Sequence, residues 1–237
     1  MTSAIILAGG LGTRLRDVVP NLPKPMAPLN GRPFLEYQLD YWIAQGIRHF
    51  ILSVGYRSEA IVSHFGETYG GARLQHVVEA EPLGTGGGLL LAMDLLAGDD
   101  AFLLLNGDTF FEVSLSELAA FHSARQSDWT LALFRTREVG RYMGPGLDGD
   151  GRILTLRCEA GSAEHLANGG VYLISPHIIH SANFLAGQRL SLEDEIMPGA
   201  LAVDGRLFGL ECQGRFIDIG VPDDYRRAAD FLAGHRT

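Results

Sequence analysis

Apolar positions in the first half of the chain follow two alternating patterns. Continuous apolar runs are typical of strands buried on both faces of a parallel sheet, and they predict strands at residues 4–7, 49–54, 74–78 and 102–105. Leu35, Leu39, Trp42 and Ile43 recur at helical spacing and predict an amphipathic helix. Residues 89–96 predict a buried helix, and 74–78 a strand near an edge. Alternating strands and helices indicate an α/β fold, with a mainly parallel sheet and helices on both faces.

The second half contains more strands and fewer helices. Apolar runs predict strands at residues 129–134, 152–156, 171–174 and 207–212. We expect these to form mixed or antiparallel pairs beside the parallel sheet. Pro222, followed by Asp223 and Asp224, is typical of a helix start. No linker interrupts the chain, so the sequence predicts one domain over residues 1–237.

A glycine-rich loop follows the first predicted strand, at residues 7–14. Gly9, Gly10 and Gly12 would let backbone amides approach an anion, and Arg14 adds a forked set of donors. The spacing differs from the Walker A motif, which requires Gly-Lys-Ser/Thr, and from the dinucleotide fingerprint, whose third glycine would fall at Leu15. The loop therefore predicts a phosphate site of another kind.

Composition narrows the class of partner. A formal net charge of -9 disfavours nucleic acid and anionic membranes as partners, and leaves small molecules. Two cysteines imply no disulfide framework, and we expect both within apolar strands of the core. No signal peptide or spanning segment is evident, which predicts a cytoplasmic protein. The sequence is compatible with a homo-oligomer but does not determine the oligomeric state.

Lysine usage is unusual. The 19 basic residues include a single lysine, Lys24, between Pro23 and Pro25. High-GC codon usage would explain why lysine is scarce, but it would not explain why the single lysine is at position 24. A compact ammonium held by two prolines next to a phosphate loop suggests a role in binding or chemistry.

Several sequence blocks together resemble the sugar-1-phosphate nucleotidyltransferases, also called sugar-nucleotide pyrophosphorylases. The blocks occur in the family's order at residues 9–15, 23–26, 81–87, 106–109, 168–172 and 216–220. Within that family, residues 24–28, 33–37 and 191–198 are most similar to D-glycero-D-manno-heptose 1-phosphate guanylyltransferases. N-acetylmuramate 1-phosphate uridylyltransferases share much of this short architecture.

The resemblance implies a fold and a reaction. The fold is Rossmann-like and three-layered, of the glycosyltransferase A type, with a nucleotide-binding half at 1–125 and a sugar-phosphate-binding half at 126–237. In the reaction, a sugar 1-phosphate oxygen attacks the α-phosphorus of a nucleoside triphosphate, and pyrophosphate leaves. The nucleophile is already an anion, so catalysis consists mostly of positioning and charge neutralisation.

Roles follow residue by residue from the resemblance. Arg14 is expected on the β- and γ-phosphates, and Lys24 near the α-phosphate. Asp108 and Asp218 are expected to bind Mg²⁺, although an aspartate at a strand end is often only a turn former. The nucleotide site as a whole is expected to comprise Leu7, Ala8, Gly9, Gly10, Gly12, Thr13, Arg14, Lys24, Glu81, Gly84 and Thr85.

The sugar phosphate is expected against the second half of the chain. Asn168 and Gly169 match sugar-contacting positions, and Glu159 and Glu193 are further candidates. Glu193 could instead be a solvated acid in the first turn of a helix, since Ser191 with Asp194 resembles a cap. Many relatives have a lysine after the glutamate at 159, where this chain has alanine. Arg157 or Arg141 could replace that lysine, or could be an ordinary surface arginine.

Three other functions remain open at this stage. One is a nucleotidyltransferase that uses UTP or dTTP and a different sugar. Another is a regulatory subunit that binds sugar nucleotides without catalysis, although retention of the charged residues argues against it. A glycosyltransferase would need an Asp-x-Asp motif after a strand, and Asp148-Gly149-Asp150 lies in a glycine-rich turn instead.

Overall fold

A computed structural model describes residues 2–10, 12, 15, 18–96, 98–138, 140–142, 144–158, 164–185 and 187–234. Its strands are β1 (Ala4–Ala8), β2 (Pro28–Leu29), β3 (Arg32–Pro33), β4 (His49–Val54), β5 (Thr68–Tyr69), β6 (Ala72–Val78), β7 (Phe102–Asn106), β8 (Thr109–Phe111), β9 (Trp129–Thr136), β10 (Gly146–Leu147), β11 (Ile153–Thr155), β12 (His165–Ile174), β13 (Leu207–Glu211) and β14 (Phe216–Asp218). Its α-helices are α1 (Phe34–Ala44), α2 (Ser58–Phe65), α3 (Gly84–Met93), α4 (Leu115–Ala124), α5 (Pro176–Ser181), α6 (Met197–Ala202) and α7 (Pro222–Leu232). A 3-10 turn spans Lys24–Met26, and a π-helical turn spans Leu192–Ile196.

The main sheet is mixed and mostly parallel, as the sequence predicts. Within the described residues it has eight strands in the order β13-β9-β12-β7-β1-β4-β6-β5. β1 pairs in parallel with β4 and β7, β4 with β6, and β9 with β13. β12 is antiparallel to both β7 and β9. The strands of the second half therefore continue the same sheet rather than lying beside it, while the division into two functional halves stays a prediction.

Side chains on opposite faces of the sheet enter two apolar layers. Along β1, Ile6 packs into a layer with α1 and α2, and its neighbour Ile5 packs into the other layer with α3 and α6. This period of two places helices on both faces of the sheet. α7 packs in a third cluster with Phe110 of β8 and Ile217 of β14. No helix in the described part of the chain has the length and hydropathy to cross a membrane.

Helix boundaries show where the sequence was ambiguous. The sequence predicts this helix only from residue 89, but α3 begins at Gly84, so the glycines at 84–88 lie inside it. A Cβ at Gly87 would lie 2.4 Å from the carbonyl oxygen of Gln188, and one at Gly86 2.7 Å from Ile196 Cγ1. The glycines therefore let the segment at 188–196 pack directly on α3.

The prediction of core cysteines needs correction. Cys158 is exposed and lies outside any strand, in the loop after β11. Cys212 follows the last residue of β13 and is only partly buried. Burial raises the pKa of the Cys212 thiol to about 12, so it is protonated at neutral pH. Neither cysteine supports a catalytic role.

Candidate active site

The glycine-rich loop leaves the carboxyl end of β1, where ligands of open α/β sheets bind. Gly12 has a φ of +59°, a left-handed conformation that favours glycine. A Cβ at this position would lie 2.9 Å from Cγ of Lys24. Glycine therefore allows the loop to pack against the lysine's aliphatic stem. Thr13 and Arg14 lie outside the described residues, so their expected phosphate contacts stay predictions.

Lys24 opens the 3-10 turn between its two prolines. Its Nζ donates a hydrogen bond of 2.7 Å to Oδ2 of Asp108. The lysine side chain is 14% exposed and the aspartate side chain 33%, so the pair is accessible from a cleft but shielded from bulk water. The structure thus joins two residues that the sequence assigned separately to phosphate and metal.

The turn that carries Asp108 is held from two sides. A Cβ at Gly107 would lie 2.5 Å from the carbonyl oxygen of Leu7, while the Gly107 N–H donates to that oxygen at 3.0 Å. The buried Gln38 donates from Nε2 to the carbonyl oxygens of Asn106 and Thr109, at 2.8 and 2.5 Å. Asp108 therefore stands on a rigid turn at the end of β7, next to β1.

Asp218 approaches the same point from β14. This strand is antiparallel to β8, with Asp218 opposite Thr109, and the Ile219 N–H donates to the Asp108 carbonyl oxygen at 2.9 Å. Oδ1 of Asp218 accepts a hydrogen bond of 2.6 Å from the Gly220 N–H. Burial raises the pKa of Asp218, and the charge of Asp108 raises it further. Two neighbouring carboxylates that destabilise each other's charge are suited to share a cation.

A cavity of about 320 Å³ lies beside Lys24 and Asp108. Its lining residues are Leu7, Ala8, Gly9, Gly10, Lys24, Pro25, Glu79, Pro82, Gly84, Thr85, Asn106, Gly107, Asp108 and Arg189. Most of the nucleotide-site residues expected from the sequence thus surround one cavity. Glu81 is exposed and does not line it.

Glu79 is an acidic cavity residue that the sequence analysis did not identify. It directly follows β6, and its Oε1 lies so close to the loop that a Cβ at Gly9 would be 2.3 Å away. Oε1 accepts a hydrogen bond from Ser53 Oγ at 3.2 Å, and Oε2 accepts one from the Leu83 N–H at 3.0 Å. Asp108 likewise lies just beyond a strand end, two residues after β7, but it was assigned from the family resemblance, whose corresponding block begins only at Glu81.

Thr85 and Glu193 join α3 to the π-helical turn. Thr85 Oγ1 accepts a hydrogen bond from the Leu192 N–H at 2.8 Å and donates to Glu193 Oε2 at 3.3 Å. Ser191 Oγ accepts from the Asp194 N–H at 3.0 Å, so the predicted cap is present. Glu193 is nevertheless partly buried, and burial raises its pKa. It is therefore not a freely solvated first-turn acid.

Asn168 and Gly169 lie on β12, close to the Asp108 turn. Asn168 Nδ2 donates to the hydroxyl of the buried Tyr172 at 2.7 Å, and its Oδ1 accepts from the Gly170 N–H at 3.1 Å. Thr109 Oγ1 donates to the Gly169 carbonyl oxygen at 3.4 Å. A Cβ at Gly169 would lie 2.4 Å from Cδ1 of Phe111, so glycine is required for this close packing. The Asn168 amide is thus held in one orientation, and the neighbouring Gly169 contacts the turn that carries Asp108.

The two arginines considered for the sugar phosphate differ in exposure and in their distance from the carboxylate pair. Arg157 donates to Asp194 at 2.5 Å, but both side chains are well exposed, at 69% and 62%. Glu159 lies outside the described residues. Arg141 is less exposed, at 25%, and its Nη2 is 3.4 Å from Oδ2 of Asp218. Of the two arginines considered from the sequence, Arg141 is therefore the one beside the carboxylate pair.

His177 and the Asp148-Gly149-Asp150 motif have structural roles. His177 Nε2 lies 3.1 Å from Asp128 Oδ1. Oδ1 of Asp148 accepts hydrogen bonds from the N–H groups of Asp150 and Arg152, both at 2.9 Å, as in an Asx-turn. Among the described residues, no group of three or more His, Cys, Asp or Glu side chains is arranged to hold a metal. A cation at Asp108 and Asp218 would therefore need further ligands from substrate or water.

Comparisons with known proteins agree with this geometry. The family model described as nucleotidyl transferase matches residues 3–234. The chain is 39% identical to D-glycero-alpha-D-manno-heptose 1-phosphate guanylyltransferase of Aneurinibacillus thermoaerophilus, over 95% of this chain and 96% of the relative. It is 36% identical to the protein of the same name from Campylobacter jejuni, over 94% and 96% of the two chains.

A solved structure supports the same assignment. The crystal structure of HddC from Yersinia pseudotuberculosis complexed with GMP-PN superposes with a TM-score of 0.84 at 30% identity, covering 98% of this chain and all of that one. The phosphate loop, the carboxylate pair and the mixed sheet all lie within residues 3–234, the range that the family model matches. The chain belongs to the nucleotidyl transferase family, among the sugar-1-phosphate nucleotidyltransferases.

Proposed function

We propose that this protein transfers a guanylyl group from GTP to D-glycero-D-manno-heptose 1-phosphate, which gives GDP-heptose and pyrophosphate for surface polysaccharide or S-layer glycan synthesis. The names of the relatives from Aneurinibacillus thermoaerophilus and Campylobacter jejuni support the sugar. The position of Glu79 in the cavity is the observation on this chain that supports the base.

A carboxylate in the cavity favours guanine over uracil or thymine. Guanine presents two neighbouring donors, N1–H and the exocyclic N2 amino group, whereas an ionised carboxylate only accepts hydrogen bonds. Uracil and thymine present one N3–H between two carbonyl oxygens, which would face the carboxylate unfavourably. Glu79 has a lone pair free on each oxygen beyond its bonds to Ser53 and Leu83. A buried polar group left unpaired weakens binding, so the site selects against pyrimidines.

Lys24 is proposed to neutralise charge at the reacting phosphorus. The attacking sugar phosphate and the triphosphate are both anions, so an ammonium between them lowers their repulsion. In the structure this ammonium is bound to Asp108, and its flexible stem allows it to turn toward a phosphate. Arg189, on the rim of the same cavity, is exposed and offers a second cation to the substrates.

Asp108 and Asp218 are proposed to hold Mg²⁺. Their oxygens are the hard ligands that Mg²⁺ prefers, and the raised pKa of Asp218 reflects burial and the repulsion that a shared cation would remove. When bound, Mg²⁺ supplies positive charge that neutralises phosphate oxygens. Two protein carboxylates are sufficient, because Mg²⁺ is commonly bound by one or two carboxylates plus substrate phosphates and water.

The sugar is proposed to lie against Asn168, Gly169 and Glu193. The Asn168 amide is fixed by Tyr172 and Gly170, and keeps one N–H and one lone pair for a sugar hydroxyl. Glu193 is held by Thr85 on the other side of the cavity rim. Preorganised groups of this kind recognise a hydroxyl pattern with little loss of side-chain entropy.

Replacing Lys24 with alanine is expected to slow turnover more than it weakens triphosphate binding. We expect kcat to fall by roughly 10²- to 10³-fold, the loss seen when one preorganised donor to a transition state is removed, and Kd for GTP to rise by less than about tenfold. Single-turnover rates and equilibrium binding of a non-hydrolysable GTP analogue measure the two quantities separately.

Lys24→Arg is the matched variant for this measurement. It keeps the charge but changes its shape, so we expect a rate between those of the wild type and Lys24→Ala. An alanine variant whose entire loss was in Kd, with an unchanged single-turnover rate, would assign Lys24 to ground-state binding alone.

Pyrophosphate release across a panel of substrates tests the proposed function. GTP, UTP, dTTP and ATP would each be combined with heptose 1-phosphate, mannose 1-phosphate, glucose 1-phosphate and N-acetylmuramate 1-phosphate. We expect the highest kcat/KM with GTP and heptose 1-phosphate. A preference for UTP with an amino-sugar phosphate would overturn the proposal, and no product from any pair would favour a non-catalytic binding subunit.

A further inference from the structure

Asp224 is a buried carboxylate with two arginine partners. It lies in the first turn of α7, and its side chain is only 4% exposed. Oδ2 accepts a hydrogen bond from Arg141 Nη2, and Oδ1 accepts one from Arg227 Nη2. Burial alone would raise the pKa of Asp224, but the bonds from Arg227 and Arg141 outweigh it and hold the pKa below its usual range. The carboxylate is therefore ionised and firmly bound to both guanidinium groups.

Arg141 extends this contact to Asp218. The same Nη2 that binds Asp224 lies 3.4 Å from Oδ2 of Asp218, and Nη1 donates to Glu138 Oε2 at 3.0 Å. The guanidinium carbon lies 4.8 Å from the ring centroid of Tyr142, which supports it from one side. Arg141 is thus fixed in place by contacts other than its contact with Asp218.

Both oxygens of Asp218 are consequently oriented. The Gly220 N–H binds Oδ1 at 2.6 Å, and Arg141 approaches Oδ2. Lys24 acts on the other member of the pair, Asp108, through a single hydrogen bond. The two cations differ in how readily they can leave. The Lys24 ammonium can rotate away from Asp108 at little cost. If Arg141 moved away, the buried Asp224 carboxylate would lose one of its two arginine partners, which is unfavourable.

We propose that Asp224 and Arg141 form an anchored pair that orients the Asp218 carboxylate for a divalent cation, with Arg141 as a positioning residue. This inference rests on the proposed function, in which Asp108 and Asp218 hold the metal. It assigns Arg141 a place beside the metal carboxylate throughout the reaction, rather than on the sugar phosphate. Partners that orient metal ligands commonly change metal affinity by 10- to 100-fold when they are removed.

Mn²⁺ binding to the substrate-free protein tests the proposal without using activity. Titration followed by electron paramagnetic resonance would compare the wild type, Asp224→Asn and the control Asp223→Asn. Asp223 neighbours Asp224 in sequence, but it is 90% exposed and pairs only with Arg226 among the described contacts. We expect Asp224→Asn to weaken Mn²⁺ binding by about tenfold or more. Asp223→Asn should bind Mn²⁺ like the wild type.

Arg141→Gln keeps the test valid if Asp224→Asn does not fold. It leaves Asp224 paired with Arg227, so the buried charge retains a partner. We expect the same loss of Mn²⁺ affinity, together with a higher Mg²⁺ concentration for half-maximal rate and an unchanged KM for the sugar 1-phosphate. A folded Arg141→Gln protein with wild-type Mn²⁺ affinity would overturn the proposal. A raised sugar-phosphate KM with normal Mn²⁺ affinity would do so too, and would assign Arg141 to the sugar phosphate.

The proposed function can fail separately from this inference. A protein that prefers another triphosphate in the substrate panel, but loses Mn²⁺ affinity in both variants, would contradict the guanylyl assignment and keep the anchored pair. Wild-type protein that bound no Mn²⁺ at all would contradict the metal site and the anchored pair together.

Discussion

Replacing Asp108 with asparagine is expected to lower the Mg²⁺-dependent kcat by about 10³-fold or more, because several kcal/mol of charge stabilisation at the phosphates would be lost. The change removes one of the two carboxylates proposed to hold the cation and deprives Lys24 of its ionic partner. The fold should survive, because the turn is held by backbone groups and Gln38. Those contacts do not involve the Asp108 carboxylate.

Rates over a range of Mg²⁺ concentrations measure this effect, together with thermal unfolding to show that the variant is folded. Asp100→Asn is the matched control, since Asp100 is an exposed aspartate at the opposite end of β7. We expect it to leave kcat unchanged. An Asp108→Asn enzyme with near-normal turnover at saturating Mg²⁺ would refute the proposed metal role.

The sequence predicted the parts of the site that depend on backbone geometry. Gly107 and Gly12 are constrained because a Cβ would meet Leu7 and Lys24, and such constraints leave glycines at fixed distances from strand ends. The strand runs were equally clear, since strands buried on both faces read as continuous apolar segments. Local sequence was therefore enough to place the loop after β1 and to single out Lys24, whereas the metal role expected of Asp108 came from the family resemblance.

Contacts between distant segments could not be predicted in the same way. Asp224 appeared only as a first-turn acid of α7, but in the folded chain it is buried against Arg141, which is 83 residues away. The glycines at 84–88 were likewise left out of the predicted helix, because nothing local shows that the segment at 188–196 packs on them. Such features arise from tertiary packing, which overrides local propensity.

Glu79 and Glu81 show how a small difference in position decides a role. Both acids follow β6, and the family resemblance drew attention to the block that begins at Glu81. The last residue of β6 is Val78, so Glu79 is the first residue beyond the sheet edge and enters the cavity, while Glu81 is exposed. The predicted strand ended correctly at residue 78, so its boundary was not the source of the error. The family resemblance directed the assignment to Glu81, whereas the cavity position of Glu79 depends on how the end of β6 packs against the glycine-rich loop.

Glu79→Gln is expected to change the base preference of the enzyme. Glutamine has nearly the shape of glutamate, and its carbonyl oxygen can still accept from Ser53 or Leu83. Its amide would place two donors where guanine also presents donors, but would match a carbonyl oxygen and the N3–H of uracil or thymine. We expect kcat/KM for GTP to fall by about 10²-fold or more. The ratio of kcat/KM for GTP to kcat/KM for UTP should fall by about 10³- to 10⁴-fold. This is the scale of discrimination shown by sites that hydrogen-bond their substrate.

The kcat/KM of the Glu79→Gln enzyme for UTP should rise but stay below that of the wild type for GTP, because a pyrimidine fills less of a cavity that accepts a purine. Glu81→Gln is the matched control, as it makes the same chemical change two residues away on an exposed side chain. It should leave the ratio of kcat/KM values for GTP and UTP unchanged. If Glu79→Gln and Glu81→Gln gave the same ratio as the wild type, base selection would have to come from backbone groups of the loop. If Glu81→Gln alone changed it, the base would have to lie against Glu81, outside the cavity.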